Sequence, residues 1–254
     1  MFTKYNTTLV VQGNTYLDHT EDFLNKYKNQ FSNVIFSTWE NEKITSEDFI
    51  IIKNKIPSNP GPANINLQLK SSLEGCKLSK TKYTIKVRSD LFIKNIDEWL
   101  TFFSEHYVSK RIFVLGLSNI HLFSPRDHVF AGETEDLIKL FDLKPMESSY
   151  NSAPLITSFY PELYLGLSYY SNFSNQAKDF LAYPDKYILS DAPLKEEAKE
   201  EWNKIALQYM YPVPRSLKYN WVKTYPDRDY PYDETAALYG EFWHEDIVNN
   251  KSIY

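Results

Sequence analysis

Short, almost wholly apolar runs punctuate the start of this chain: Thr8-Leu9-Val10-Val11-Gln12-Gly13, Asn33-Val34-Ile35-Phe36-Ser37-Thr38-Trp39 and Phe49-Ile50-Ile51-Ile52. Runs this short and this apolar suit strands covered on both faces, as in a parallel sheet. Between the first two, Phe23, Leu24, Tyr27 and Phe31 recur at helical spacing. The alternation then continues. The turn cluster Pro57-Ser58-Asn59-Pro60-Gly61-Pro62 leads into a helix from about Asn64 to Ser79, followed by a strand over Tyr83–Asp90. A helix around Asp97–Phe103 and a strand over Arg111–Leu115 come next. Repeated strand–helix alternation predicts an α/β sandwich of the nucleotide-binding kind.

From about residue 150 the pattern changes to helices over Glu162–Ser171, Asn175–Tyr183 and Lys195–Tyr209, then a tail rich in Pro and Tyr. The expected organisation is an α/β core over residues 1–150 with a helical lobe over 151–254 packed on it as a single compact unit.

Several function classes are disfavoured. A formal net charge of −5 speaks against nucleic-acid binding. One cysteine, Cys76, can build neither a disulfide nor a cysteine-based zinc site. No run approaches the roughly 18 apolar residues of a membrane span. The start, Met1-Phe2-Thr3-Lys4-Tyr5-Asn6, lacks the apolar stretch of a secretory signal, so the cytoplasm is the expected address. No G-x-G-x-x-G follows the first strand and no G-x-x-x-x-G-K-[ST] occurs, which counts against dinucleotide dehydrogenases and P-loop enzymes.

The candidate site residues lie at strand ends. Open α/β sheets bind ligands at the carboxyl ends of their strands. Gln12-Gly13 closes the first strand, where a glycine lets backbone approach a ligand or simply turns the chain. Ser37-Thr38-Trp39-Glu40 closes the second, offering Thr38 and Glu40 to a ribose or base, with Trp39 stacking or packing. Asn66 and Gln68 share the next helix with Ser71 and Ser72, as a ligand-positioning face or a solvated one. The strongest cluster is Tyr83-Thr84-Ile85-Lys86-Val87-Arg88-Ser89-Asp90. Ile85 and Val87 point to an apolar face, and Lys86 and Arg88 share the other. Two cations suit a diphosphate and Asp90 suits Mg²⁺ or Mn²⁺; the plainer alternative is a surface strand with weak ion pairs.

Further on, Pro125-Arg126-Asp127-His128 precedes a short apolar run and Gly132, which makes Asp127 a candidate base and His128 a site contact. Thr134 reads as a helix N-cap, with Glu135 and Asp136 favouring the dipole. His244 could return to a phosphate or metal, or sit on the surface.

In order and spacing, Val11-Gln12-Gly13, Ser37-Thr38-Trp39-Glu40, Asn64–Gly75, Tyr83–Asp90, Arg126-Asp127-His128…Gly132…Glu135-Asp136-Leu137 and, more weakly, Pro161-Glu162-Leu163-Tyr164 resemble the WavE-type lipopolysaccharide-synthesis family. The match runs over roughly residues 7–170. The resemblance implies a GT-A-like fold, in which a Rossmann-like nucleotide-binding sheet is flanked by helices. It also implies a glycosyltransferase moving sugar from a nucleotide-sugar donor to a hydroxyl of a bacterial surface glycan, such as lipopolysaccharide core, O-antigen or capsule. Gln12, Gly13, Thr38, Glu40, Asn66, Gln68, Lys86, Arg88 and Ser89 would then hold the donor, Asp90 a divalent metal (Mn²⁺ or Mg²⁺), and His128 and His244 the acceptor or a phosphate. Asp127 would deprotonate the acceptor. Asp90 takes the last acidic position of a D-x-D metal motif, but Arg88 stands where that motif has its first Asp. The alternatives are a non-catalytic carbohydrate-binding protein and, on the same fold, a sugar nucleotidyltransferase. A lipid-linked acceptor would bring the chain to the inner face of the membrane, where Arg215–Lys223 mixes cations with aromatics.

Overall fold

The computed structural model describes residues 1–15, 17–118, 122–146, 161–182, 192–217, 219–221 and 241–251. Parallel strands β1 (Thr7–Gln12), β2 (Asn33–Trp39), β3 (Ile50–Asn54) and β4 (Tyr83–Arg88) form one half of the main sheet. Helix α1 (Leu17–Tyr27) links β1 to β2. A 3-10 turn at Pro62–Asn64 and helix α2 (Ile65–Leu78) link β3 to β4. Then come β5 (Leu91–Ile93), α3 (Ile96–Glu105), β6 (Ile112–Val114), β7 (Leu117–Ser118), β8 (Val129–Glu133) and α4 (Thr134–Phe141). The second half contributes α5 (Pro161–Tyr170), α6 (Asn175–Ala182), α7 (Ala192–Tyr209), β9 (Met210–Pro212), β10 (Tyr219–Trp221), β11 (Glu241–Phe242) and α8 (His244–Val248).

The main sheet runs β3-β2-β1-β4-β8-β6-β9, with β8 antiparallel to both neighbours. This is the α/β sheet flanked by helices that a GT-A-like chain requires. The second half is not the purely helical lobe that its sequence predicts. It adds β9 to the sheet edge beside β6 and pairs β10 with β5 and β11 with β7. The Pro- and Tyr-rich stretch at 222–240 lies outside the described residues, as do Lys218, Val222 and Lys223 of the segment read as interfacial. Among the described residues no helix is long and apolar enough to cross a membrane.

Both faces of the sheet are covered, which explains the apolar runs. Leu9, Val11, Ile85 and Val87 pack with Leu24 and Tyr27 of α1 and with Ile96, Trp99 and Phe103 of α3. The opposite cluster joins Ile65, Leu69 and Cys76 of α2 to Leu137, Leu140 and Phe141 of α4 and to Leu163, Leu167 and Trp202 of the second half. The two halves thus share one core.

The polar side of β4 is buried too, against the expectation of an exposed one. Thr84 Oγ1 bonds Ser79 Oγ at 2.9 Å and Thr134 Oγ1 at 2.8 Å. Thr134 therefore serves as a buried hydroxyl partner, and the N-cap of α4 is Glu133. Lys86 is 0% exposed. Its ammonium donates to the Asp127 carbonyl at 3.0 Å and lies 5.5 and 5.7 Å from the rings of Phe130 and Phe141. The expected diphosphate contact by Lys86 is ruled out by this burial; only its field reaches further.

Two stability results follow from this packing. A Cβ on Gly75 would lie 2.4 Å from Val10 Cγ1, so α2 sits on β1 only because that position is bare. Gly75→Val should cost about 1–3 kcal/mol through overpacking, read as a lower urea midpoint; an unchanged midpoint would contradict the packing. Burial pushes the Lys86 pKa down from 10.5 to about 8, against the pull of Asp127. Between these values the unfolded chain binds more protons than the folded one, so this lysine makes stability rise with pH across the window. Urea unfolding of wild type minus Lys86→Met should climb by on the order of 3 kcal/mol from pH 8 to 10.5, whereas a flat difference would place Lys86 in water.

Candidate active site

The chain reverses its direction of travel across the sheet at β1. β2 and β3 are added on one side and β4 on the other. Crevices open at such switch points, beyond the carboxyl ends of the diverging strands. A cavity of about 330 Å³ lies there, bounded by Gln12 and Gly13 after β1 and by Arg88, Ser89 and Asp90 after β4. Its size is in the range of small-ligand sites.

Local chemistry keeps this space open. Gly13 has φ 133°, and a Cβ there would fall 2.4 Å from Ser89 Oγ. The Ser89 amide donates to the Gln12 carbonyl at 2.8 Å and ties the two strand ends together. Ala63 and Asn64 also line the cavity, and both have positive φ (47° and 66°). Non-glycine residues in that region cost on the order of 1 kcal/mol or more each and persist where the surroundings impose them. They turn the chain sharply into α2, whose positive N-terminal end therefore borders the cavity.

The charges form one connected group. The Arg88 guanidinium grips Asp90 with two bonds, Nε to Oδ1 at 3.0 Å and Nη2 to Oδ2 at 2.7 Å. Its Nη1 lies 3.7 Å from Asp127 Oδ1. Asp127 is 3% exposed, and that Oδ1 has no hydrogen-bond partner among the described residues. Burial works against its charge, but neighbouring cationic groups, with His128 first among them only when it is protonated, outweigh this and hold the carboxyl below its ordinary range. Burial also pushes His128 down to about 4, so at neutral pH His128 is uncharged and the attraction comes from Arg88 and Lys86. Glu162, in the first turn of α5, faces the same cavity. Burial, then the nearby Asp127 charge, raises its pKa to about 7, while Arg126 and Arg88 pull the other way.

The expected site residues divide. Gln12, Gly13, Gln68, Arg88, Ser89, Asp90 and Asp127 come together at the cavity, joined by Trp39. Gln68 Nε2 reaches the Asp127 carbonyl at 3.4 Å, and Gln12 Oε1 is buried with no bonding partner among the described residues. Thr38 and Glu40 do not line it: Thr38 is 0% exposed and the Glu40 amide is tied to Asn54. The reason is topological, since the diverging strands are β1 and β4, not β1 and β2. Asn66 is spent on structure, bonding both the amide and the carbonyl of Met146. His128 sits behind Asp127, its Nε2 3.9 Å from Oδ1. His244 is elsewhere, 3.2 Å from Tyr211 Oη and packed on His106. Glu162 was missed as a site residue, because an acid after a proline reads simply as a helix start.

A divalent cation does not fit this donor set while Arg88 holds Asp90, because the guanidinium bonds both carboxylate oxygens and would set its own positive charge against the cation. Among the described residues no three metal-ligating side chains converge.

No curated protein matches the chain. Solved structures with partial likeness include TarS of S. aureus, at 12% identity and TM-score 0.43, over 80% of this chain and 44% of that one. Another is the mannosyltransferase PcManGT of Pyrobaculum calidifontis in complex with GDP-Man and Mn²⁺, at 9% identity and TM-score 0.44, over 77% of this chain and 74% of that one. HddC of Yersinia pseudotuberculosis matches at 11% identity and TM-score 0.32, over 55% and 80%. Likeness this low carries no argument about activity. The family comparison is firmer: the model described as WavE lipopolysaccharide synthesis matches residues 20–159, more than half of the chain. That segment holds the end of β2, all of β4 with Arg88-Ser89-Asp90, and Asp127, so the chain belongs to the WavE lipopolysaccharide synthesis family.

Proposed function

We propose that this protein is a glycosyltransferase that takes a sugar from a nucleotide-sugar donor and delivers it to a hydroxyl of a bacterial surface glycan. The observation that carries the reading is the cavity at the β1–β4 switch point with the Arg88 guanidinium in its wall. A nucleoside diphosphate is a planar base joined to a double anion. Trp39 borders the space for the base with a largely buried ring, and Gln12 adds a buried amide oxygen without a hydrogen-bond partner among the described residues. The bare backbone of Gly13 and the Ser89 hydroxyl suit the diphosphate, which would draw charge-assisted bonds from Arg88 in competition with Asp90.

In the transfer step the bond between the anomeric carbon and the diphosphate breaks, and negative charge grows on the leaving group. A fixed guanidinium in a partly dry cavity stabilises that growing charge. Asp127 fits the task of an anchor better than that of a base. Its depressed pKa makes it a weak proton acceptor, and its negative charge favours the protonated form of Lys86 and pairs with Arg88. The family's place in lipopolysaccharide synthesis supports a glycan acceptor.

Thermal unfolding in EDTA with UDP, GDP, ADP, CDP, CMP or UTP tests this reading. One nucleoside diphosphate should raise the midpoint by several degrees, since a ligand at a hundred times its Kd adds about 2.7 kcal/mol. Arg88→Ala should weaken that nucleotide about tenfold or more, as expected for a lost charge-assisted bond of roughly 1.5–3 kcal/mol. A shift that appears only with Mn²⁺ would contradict the role given to Arg88. A response to UTP alone would favour nucleotidyl transfer, and a response only to oligosaccharide would favour a binding protein.

A further inference from the structure

Resting on the glycosyl-transfer reading, we propose that Glu162 is the catalytic base that takes the proton from the acceptor hydroxyl. Pro161 and Glu162 open α5 and line the same cavity as Arg88, Gln68 and Asp127. α5, which carries Glu162 in its first turn, packs on α4, on α6 and on the 3-10 turn before α2. Glu162 is only partly buried, whereas Asp127 is 3% exposed. An acceptor entering the cavity therefore meets Glu162 more readily than Asp127.

Electrostatics then separates the two acids. Among the described residues, the charged groups that bear on Glu162 are Asp127 and Arg126, from the loop before β8, and Arg88 of β4. Burial and the ionised Asp127 raise Glu162 to about 7, and Asp127 is held down. Paired carboxyl groups with pKa values driven apart take different roles, and a base is most effective when its pKa lies near the working pH. Arg88 and Asp127 thus form the fixed ion group, and Glu162 is the member free to exchange a proton.

The step balances as a single inverting displacement. The acceptor oxygen forms a bond to the anomeric carbon. The bond from that carbon to the diphosphate oxygen breaks, and its electron pair leaves with the nucleoside diphosphate. The hydroxyl proton passes to the Glu162 carboxylate, which later returns it to solvent.

The test uses the full chain, Glu162→Gln and Glu162→Asp. Three readouts are taken: binding of UDP and GDP, release of nucleoside diphosphate from UDP-glucose and GDP-mannose against pH with water or an added oligosaccharide as the acceptor hydroxyl, and the ¹³C carboxyl titration of Glu162. Glu162→Gln should keep nucleotide affinity within about threefold and lose about a hundredfold or more in kcat, the contribution usual for a general base. In wild type, kcat should rise with pH through about 7, following the ionisation of Glu162. That limb should vanish in Glu162→Gln and partly return in Glu162→Asp. Normal nucleotide binding with unchanged release in Glu162→Gln, or a Glu162 carboxyl that titrates below about pH 5, overturns the assignment alone. Absence of nucleotide binding in wild type overturns the glycosyl-transfer reading, and the role of Glu162 with it.

Discussion

Parallel pairing of β1 with β4, in register from Thr7↔Tyr83 to Gln12↔Arg88, is the constraint from which the site follows. β2 and β3 already occupy the other flank of β1, so β4 must cross over, and the connections diverge beyond Gln12 and Arg88. The gap left there cannot be filled by the sheet. It is fenced by the 3-10 turn before α2 and by the first turn of α5, and it receives the side chains that leave the two strand ends. A register shift of one residue would turn Arg88 to the opposite face. Six buried residues in β1 and the packing of Val10 against bare Gly75 oppose such a slip.

The second determinant is charge balance in a small space. Arg88 and Lys86 offset Asp90 and Asp127 almost within contact distance, and Glu162 is left to hold or release a proton. Leaving any one of these charges buried without its counter-charge would be costly, which is why they occur as a group. An anionic ligand must compete with Asp90 and Asp127 for Arg88. Such competition favours ligands that present two acceptor oxygens in one plane and penalises a single weak anion.

Much of the sheet was legible from local pattern. β1, β2 and β3 announce themselves as apolar runs and β4 as an alternating strand, and the α2 boundaries Ile65–Leu78 lie within the expected span. The antiparallel β8 and the edge strand β9 were not legible, because three to five residues carry little periodicity and their pairing is decided by distant partners. At the site, strand-end residues such as Gln12, Gly13 and Arg88-Ser89-Asp90 could be found from the rule that ligands gather at carboxyl ends. Thr38, Asn66 and Lys86 could not be told from ligand contacts, since their types are polar but their surroundings are set by β3, Met146 and Asp127. Glu162 carries the opposite lesson: an ordinary helix-start acid becomes chemically distinct only through burial beside Asp127.

The central claim is that the strand-end cavity receives a nucleoside diphosphate through Arg88. A crystal structure of the chain with its bound nucleoside diphosphate tests this most directly. The account predicts the diphosphate beside Gly13 and Ser89, with the Arg88 guanidinium about 3 Å from its oxygens and the base toward Gln12 and Trp39. A diphosphate bound away from this cavity would contradict it, as would a cation bridging Asp90 to the phosphates with Arg88 displaced.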